Sequence, residues 1–144
     1  MDDDEFSLHG LTRIGGIEWA RQLEGLPSSL QQLELGDRFN DWLQQTSFPS
    51  SIKTMTLGYD FNRSLDGVTL PADLQALTFG YRFNRSLDGV TFPASLQTLI
   101  FGIGFNQSLD GVTFPAGLQT LTFGCRLGRC HFSSKSANLD FWMA

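Results

Sequence analysis

All five prolines of this chain fall on one period: Pro27, Pro49, Pro71, Pro93 and Pro115 follow one another at steps of 22 residues. Other columns align to the same step. The residue before each proline is apolar (Leu26, Phe48, Leu70, Phe92, Phe114), and three after it comes Leu30, Ile52, Leu74, Leu96 or Leu118. Next come Leu33, Met55, Leu77, Leu99 and Leu121, and then Leu35, Leu57, Phe79, Phe101 and Phe123. A glycine column follows (Gly36, Gly58, Gly80, Gly102, Gly124), then Phe39, Phe61, Phe83, Phe105 and Leu127, with Asn40, Asn62, Asn84 and Asn106 beside the phenylalanines. A period of this length restricts the fold to architectures in which identical units stack.

Within one unit, Leu65-Val68-Leu70 and Leu74-Leu77-Phe79 share the spacing L-x-x-L-x-L. In each, the last two apolar residues alternate with one polar residue, the pattern of a one-sided strand. The spacing predicts a β-rich solenoid of right-handed 22-residue coils, with two short parallel strands per coil and few or no helices in the array. Proline fixes φ at one corner, and the glycine column marks a bend where a side chain would obstruct. Stacking coils ~4.7–4.9 Å apart turns Leu65, Val68, Leu70, Leu74, Leu77, Phe79, Phe83 and Leu87 inward. At ~1.5–3 kcal/mol per buried side chain this is on the order of 10–20 kcal/mol gross per coil. Chain entropy cancels most of it.

These residues carry a resemblance. The unit resembles the leucine-rich repeat and is most similar to the FNIP-type repeat, with its Leu-Pro-x-Ser-Leu, Leu-x-Phe-Gly and Phe-Asn elements. The matching residues are Leu26-Pro27-Ser28-Ser29-Leu30, Leu77-Thr78-Phe79-Gly80 and Phe83-Asn84. After Phe-Asn the chain departs from the family, with Arg63-Ser64, Arg85-Ser86 and Gln107-Ser108. The resemblance implies a solenoid used for protein–protein contact.

The expected organisation is an N-terminal cap at 1–25, a repeat array at 26–124 with units starting at 26, 48, 70, 92 and 114, and a C-terminal cap or loose tail at 125–144. Ile17, Trp19, Ala20 and Leu23 have the pattern of a short amphipathic cap. Phe132, Leu139, Phe141 and Trp142 are candidates to cover the last coil. The first coil is irregular, with Asp41-Trp42-Leu43-Gln44-Gln45-Thr46 where later copies read Arg-Ser-Leu-Asp-Gly-Val. Solenoid ends need covering because an open end exposes core and strand edges.

Net charge is −5, and of the 15 acids Asp2, Asp3, Asp4 and Glu5 sit at the start, leaving 11 against 10 bases. No basic stripe marks a nucleic-acid binder. No run of about 18 apolar residues predicts a membrane span. The beginning lacks a signal-peptide pattern, so an intracellular, cytoplasmic location is expected.

Five features are candidates for chemistry. The asparagine column could bind a ligand, but the plainer reading is a structural ladder of amides satisfying backbone groups at the turn. Asp66, Asp88 and Asp110 could offer stacked carboxylates to calcium, which needs 6–8 oxygens; solvated turn residues are the simpler reading. Cys125, Cys130 and His131 lack the second ligand pair of a zinc site, and His9 is the only other histidine. Three threonine columns suggest an ice-binding face: Thr54, Thr98 and Thr120 interrupted by Ala76; Thr56, Thr78 and Thr122 interrupted by Ile100; and Thr69, Thr91 and Thr113. Threonine is also an ordinary strand residue. Finally Tyr59, Tyr81 and Ile103, with Arg38, Arg82 and Arg126 beside them, form an outward set of residue types common at protein interfaces.

No nucleophile with a base, phosphate loop or full metal shell is present, so no catalytic residue, cofactor or metal site is assigned. The sequence reads as a non-enzymatic protein-binding or scaffold module. Tyr59, Tyr81, Arg82 and Ile103 are its partner-binding residues, and the partner is another protein. The alternatives are a structural subunit docked in a larger assembly, or an ice-binding solenoid.

Overall fold

The structure, a computed structural model, describes residues 10–124. Six parallel strands lie in chain order in one sheet: β1 (Arg13–Ile17), β2 (Gln32–Leu35), β3 (Thr54–Thr56), β4 (Ala76–Thr78), β5 (Thr98–Phe101) and β6 (Thr120–Phe123). Strands β2 to β6 pair in the register of the repeat: Met55 lies beside Leu77, Leu77 beside Leu99 and Leu99 beside Leu121. The chain is thus a parallel β-solenoid of 22-residue coils.

Each coil carries one strand, not the two expected. The remainder is a set of β-turns. After the strand, Phe61 N–H donates to the Gly58 carbonyl (3.2 Å); then Val68 donates to Leu65 (3.0 Å), and Leu74 donates to Pro71 (3.1 Å). The stretch Leu65–Leu70 failed as a strand because Asp66-Gly67 closes a turn there. Gly67 sits at φ 79°, left-handed backbone that glycine adopts without steric cost. Ser64 Oγ accepts the Asp66 N–H at 3.1 Å and fixes its approach. The apolar spacing of that stretch aims Leu65, Val68 and Leu70 into the core from a turn; all three are buried. The third threonine column, Thr69, Thr91 and Thr113, is exposed but does not lie on a strand.

The described part of the N-terminal segment is strand and turn. It adds β1 to the sheet, with Ile14 beside Leu33 and Ile17 beside Leu35, and the register shifts between them at Gly15-Gly16. A single 3-10 turn follows at Ala20–Leu23. Ile17 and Leu23 are buried, but Trp19 is 58% exposed and lies outside the core.

The interior is a stack of apolar rows. Phe39, Phe61, Phe83 and Phe105 pile with ring centroids 6.2, 6.1 and 6.0 Å apart. A second row of Phe79, Phe101 and Phe123 has spacings of 4.8 and 5.3 Å. The rows touch where Phe79 meets Phe83 (4.1 Å) and Phe101 meets Phe105 (4.3 Å). Offset stacking of this kind adds to the area each ring buries. No polar or charged residue is buried among the described residues.

The glycine column sets how closely coils approach. A Cβ on Gly58 would overlap the carbonyl oxygen of Gly36, one on Gly80 that of Gly58, and one on Gly102 that of Gly80. The bend therefore runs backbone against backbone, and no side chain fits there. Among the described residues no helix is long and apolar enough to cross a membrane.

Candidate interaction surfaces

Four surfaces arise from this stacking. The first is the asparagine row, on the turn after the strand. Asn40 Oδ1 accepts the Asn62 N–H (2.8 Å), Asn62 Oδ1 that of Asn84 (2.9 Å), and Asn84 Oδ1 that of Asn106 (2.8 Å). The next residue reaches back one coil as well: Arg63 and Arg85 Nε donate to the carbonyls of Asn40 and Asn62 at 2.8 and 2.9 Å. Gln107, in the same column, donates to Asn84 Oδ1 at 3.0 Å. These bonds satisfy backbone groups that no strand ladder reaches.

The second surface is a ledge at the end of the strands. The turns Gly58–Phe61, Gly80–Phe83 and Gly102–Phe105 project their second residues, Tyr59, Tyr81 and Ile103, in one column. The two tyrosine rings stack at 4.9 Å with planes 8° apart. Tyr59 is 46% exposed and Ile103 41%. Arg82 leans across the column, its Nε 3.4 Å from Asp60 Oδ1 and its guanidinium 5.9 Å from the centre of the Tyr59 ring. Arg38 is exposed in the same column two coils before Arg82.

The third surface is the outer face of the sheet. One row runs Gln32, Thr54, Ala76, Thr98, Thr120 and the other Glu34, Thr56, Thr78, Ile100, each residue beside the next in register. Ala76 and Ile100 interrupt the threonines within the paired strands, and Glu34 ends its row in an ion pair with Arg13 at 2.6 Å.

The fourth surface was not singled out from the sequence. A cavity of about 440 Å³ lies between the 3-10 turn and the first coil, lined by Arg21, Glu24, Trp42, Gln45, Thr46 and Ser47 among others. A second of about 360 Å³ adjoins it, sharing Arg21 and bordered by Trp19 and Asp41. One sequence signal pointed here, the departure of residues 41–46 from the repeat; among the described residues Trp19 and Trp42 are two of the few exposed aromatics. The repeat pattern alone does not place the cavity, because the cavity joins segments on either side of the start of the array.

Of the other candidates, Asp66, Asp88 and Asp110 are exposed on their turns. Among the described residues no three His, Cys, Asp or Glu side chains converge as a metal site would require. His9, Cys125, Arg126, Cys130, His131 and the whole segment 125–144 lie outside the described residues.

The FNIP Repeat family model matches residues 22–60 and 61–104, together more than half of the chain. Among solved structures, one described as CroV588, a novel circular LRR protein, superposes with a TM-score of 0.63 at 39% identity. The match covers 68% of this chain and 14% of that one. No curated protein matches. Geometry and comparison agree on a solenoid of the leucine-rich-repeat kind.

Proposed function

This chain belongs to the FNIP repeat family, and from that premise we propose that it is a non-enzymatic protein-binding module whose contact residues are Tyr59, Tyr81, Arg82 and Ile103. The observation that carries the reading is the ledge itself. Tyr59 and Tyr81 are stacked at 4.9 Å on backbone that cannot shift without breaking the glycine packing beneath. Rigid aromatics lose little freedom when a partner docks, so more of their contact energy appears as affinity. Tyrosine and arginine also dominate the energetics of many interfaces. The neighbouring strand face is uncharged over Thr54, Thr56, Ala76, Thr78, Thr98 and Ile100, which lets a partner settle beside the ledge without stripping water from ions.

The test compares two variants as bait in extract from the native source. One carries Tyr59→Ala and Ile103→Ala. The control carries Thr69→Ala and Thr91→Ala, exposed positions outside the strands and the ledge. Both should keep the circular dichroism spectrum of the parent. The ledge variant should lose its captured partner by about ten-fold or more, the effect of removing an anchor residue, while the control keeps it. Unchanged capture by a folded ledge variant would refute the assignment.

A further inference from the structure

We propose that Tyr59 and Tyr81 form a site of oxidative coupling, at which a one-electron oxidant joins the two phenol rings by a carbon–carbon bond and ties neighbouring coils together covalently. The inference uses the geometry of the ledge alone and does not rest on the protein-binding reading.

Placement leads to this chemistry. The chain has two tyrosines, and they stand one repeat apart in one column. Their ring centres are 4.9 Å apart and their planes 8° from parallel. That distance matches the spacing of neighbouring strands, ~4.7–4.9 Å. One ring is therefore the other moved by one coil, and each Cε lies about as far from its counterpart as the centres do. The backbone holds the pair in this relation. Arg82 N–H donates to the Tyr59 carbonyl at 3.0 Å, and Gly104 N–H to the Tyr81 carbonyl at 2.8 Å. A Cβ on Gly80 would come within 3.0 Å of the Tyr59 Cα. An oxidant can reach the pair, because Tyr59 is 46% exposed and Tyr81 half-buried. The column also confines the radical. Asp37 precedes Tyr59 in it and Ile103 follows Tyr81, and neither side chain is readily oxidised by one electron. The phenylalanines of the core lack the hydroxyl whose proton loss makes a phenol easy to oxidise.

Each phenol gives one electron to the oxidant and its hydroxyl proton to water. This leaves a phenoxyl radical with spin on the oxygen and on both Cε atoms. A Cε of Tyr59 then bonds to a Cε of Tyr81. The proton on each joined carbon moves to its phenolic oxygen, so two C–H bonds break, both hydroxyls return and both rings regain aromaticity. In sum the chain loses two electrons and two protons. Rotation about χ1 and χ2 on the ledge brings the two carbons together. Holding the rings side by side gives each an effective concentration of about millimolar or above toward the other, which a second chain in dilute solution does not match. The bond closes a ring of one repeat and restricts the unfolded chain, as a disulfide does.

The experiment irradiates the full chain, at about micromolar concentration, with ruthenium tris-bipyridyl and persulfate. One persulfate takes up the two electrons and yields two sulfate ions. Trypsin then cuts after Lys53, Arg63 and Arg82, which puts Tyr59 on peptide 54–63 and Tyr81 on peptide 64–82. The product should stay monomeric and show dityrosine fluorescence. It should release these two peptides as one species, lighter than their sum by two hydrogens. In concentrated urea the yield of linked peptide should fall by at least about ten-fold, because the rings separate. Tyr59→Phe and Tyr81→Phe each keep the ring and remove the hydroxyl, so both should retain the circular dichroism of the parent and give no linked peptide. Absence of the linked peptide from the folded parent overturns the proposal. So does its appearance in a folded Phe variant, coupling found only in covalent dimers, or a yield in urea equal to that of the native chain.

Discussion

Two glycines that look alike in the sequence have opposite meanings. Gly80 stands in the bend, where a Cβ would overlap the carbonyl oxygen of Gly58. The obstructing atom is backbone of the previous coil, so neither side can yield cheaply. Gly117 occupies the column of Ser29, Ser51 and Ser95, and the nearest atom to its Cβ is the Ala94 carbonyl oxygen at an ordinary 3.6 Å. Its φ is not positive. Ser95 in that column donates to the carbonyls of Ala72 and Leu74 at 2.8 and 2.6 Å, and Ser51 to Leu30 at 2.6 Å. Gly80→Ala should therefore destabilise by roughly 2–3 kcal/mol through overpacking. Gly117→Ser should be neutral or stabilise by up to about 1 kcal/mol, through reduced unfolded-chain freedom and a new bond of the Ser95 type. Urea denaturation of the two variants reads both signs. Equal losses would mean that the column does not set the coil spacing. The glycine period was visible in the sequence, and so was the idea of a bend without side chains. What the side chain would strike was not, because that atom lies in another coil.

At the scale of the element, the sequence supports one reading too many. Leu65-Val68-Leu70 and Leu74-Leu77-Phe79 have the same spacing, yet only the second becomes a strand. The difference is Asp66-Gly67: a glycine at φ 79° ends any extended run. Periodicity marks which side chains point inward; it does not say whether a strand or a turn points them there. Where strands give out, side chains take over the bonding between coils, and the asparagines are the regular instance. Removing one should act in a single direction. In Asn62→Ala the Asn84 N–H loses its acceptor, while the Asn62 N–H keeps Asn40 Oδ1. Hydrogen exchange should accelerate at the Asn84 amide and change much less at Asn62, with a loss of about 1–3 kcal/mol in stability. Equal acceleration at both amides would indicate general loosening in place of a directional ladder.

At the scale of the molecule, stability is a sum over neighbouring coils, and most of what matters was legible: the period, the inward rows, the outward tyrosine column. The unread parts lie where the period fails. Residues 13–17 match no unit, yet they extend the sheet by one strand, because an edge strand accepts any chain with free backbone groups and two apolar residues to offer. The Trp42 cleft likewise joins a non-repeat segment to the one atypical coil. If interchangeable coils hold the fold, an internal one can be removed whole. Deleting residues 70–91 joins Thr69 to Phe92, sets Phe61 against Phe105 and Asn62 against Asn106, and preserves the register of every row. That variant should fold as a shorter solenoid with parallel-sheet circular dichroism, a lower midpoint in urea and a smaller m-value, since less surface is exposed on unfolding. Deleting residues 70–90 removes one residue fewer. It leaves an extra residue between Thr69 and Phe92, in the run leading to a buried corner, and shifts one turn against its neighbours. The variant nearer the parent in length should then be the less stable of the two. The opposite order would show that chain length, and not the matching of identical columns, determines how this solenoid holds together.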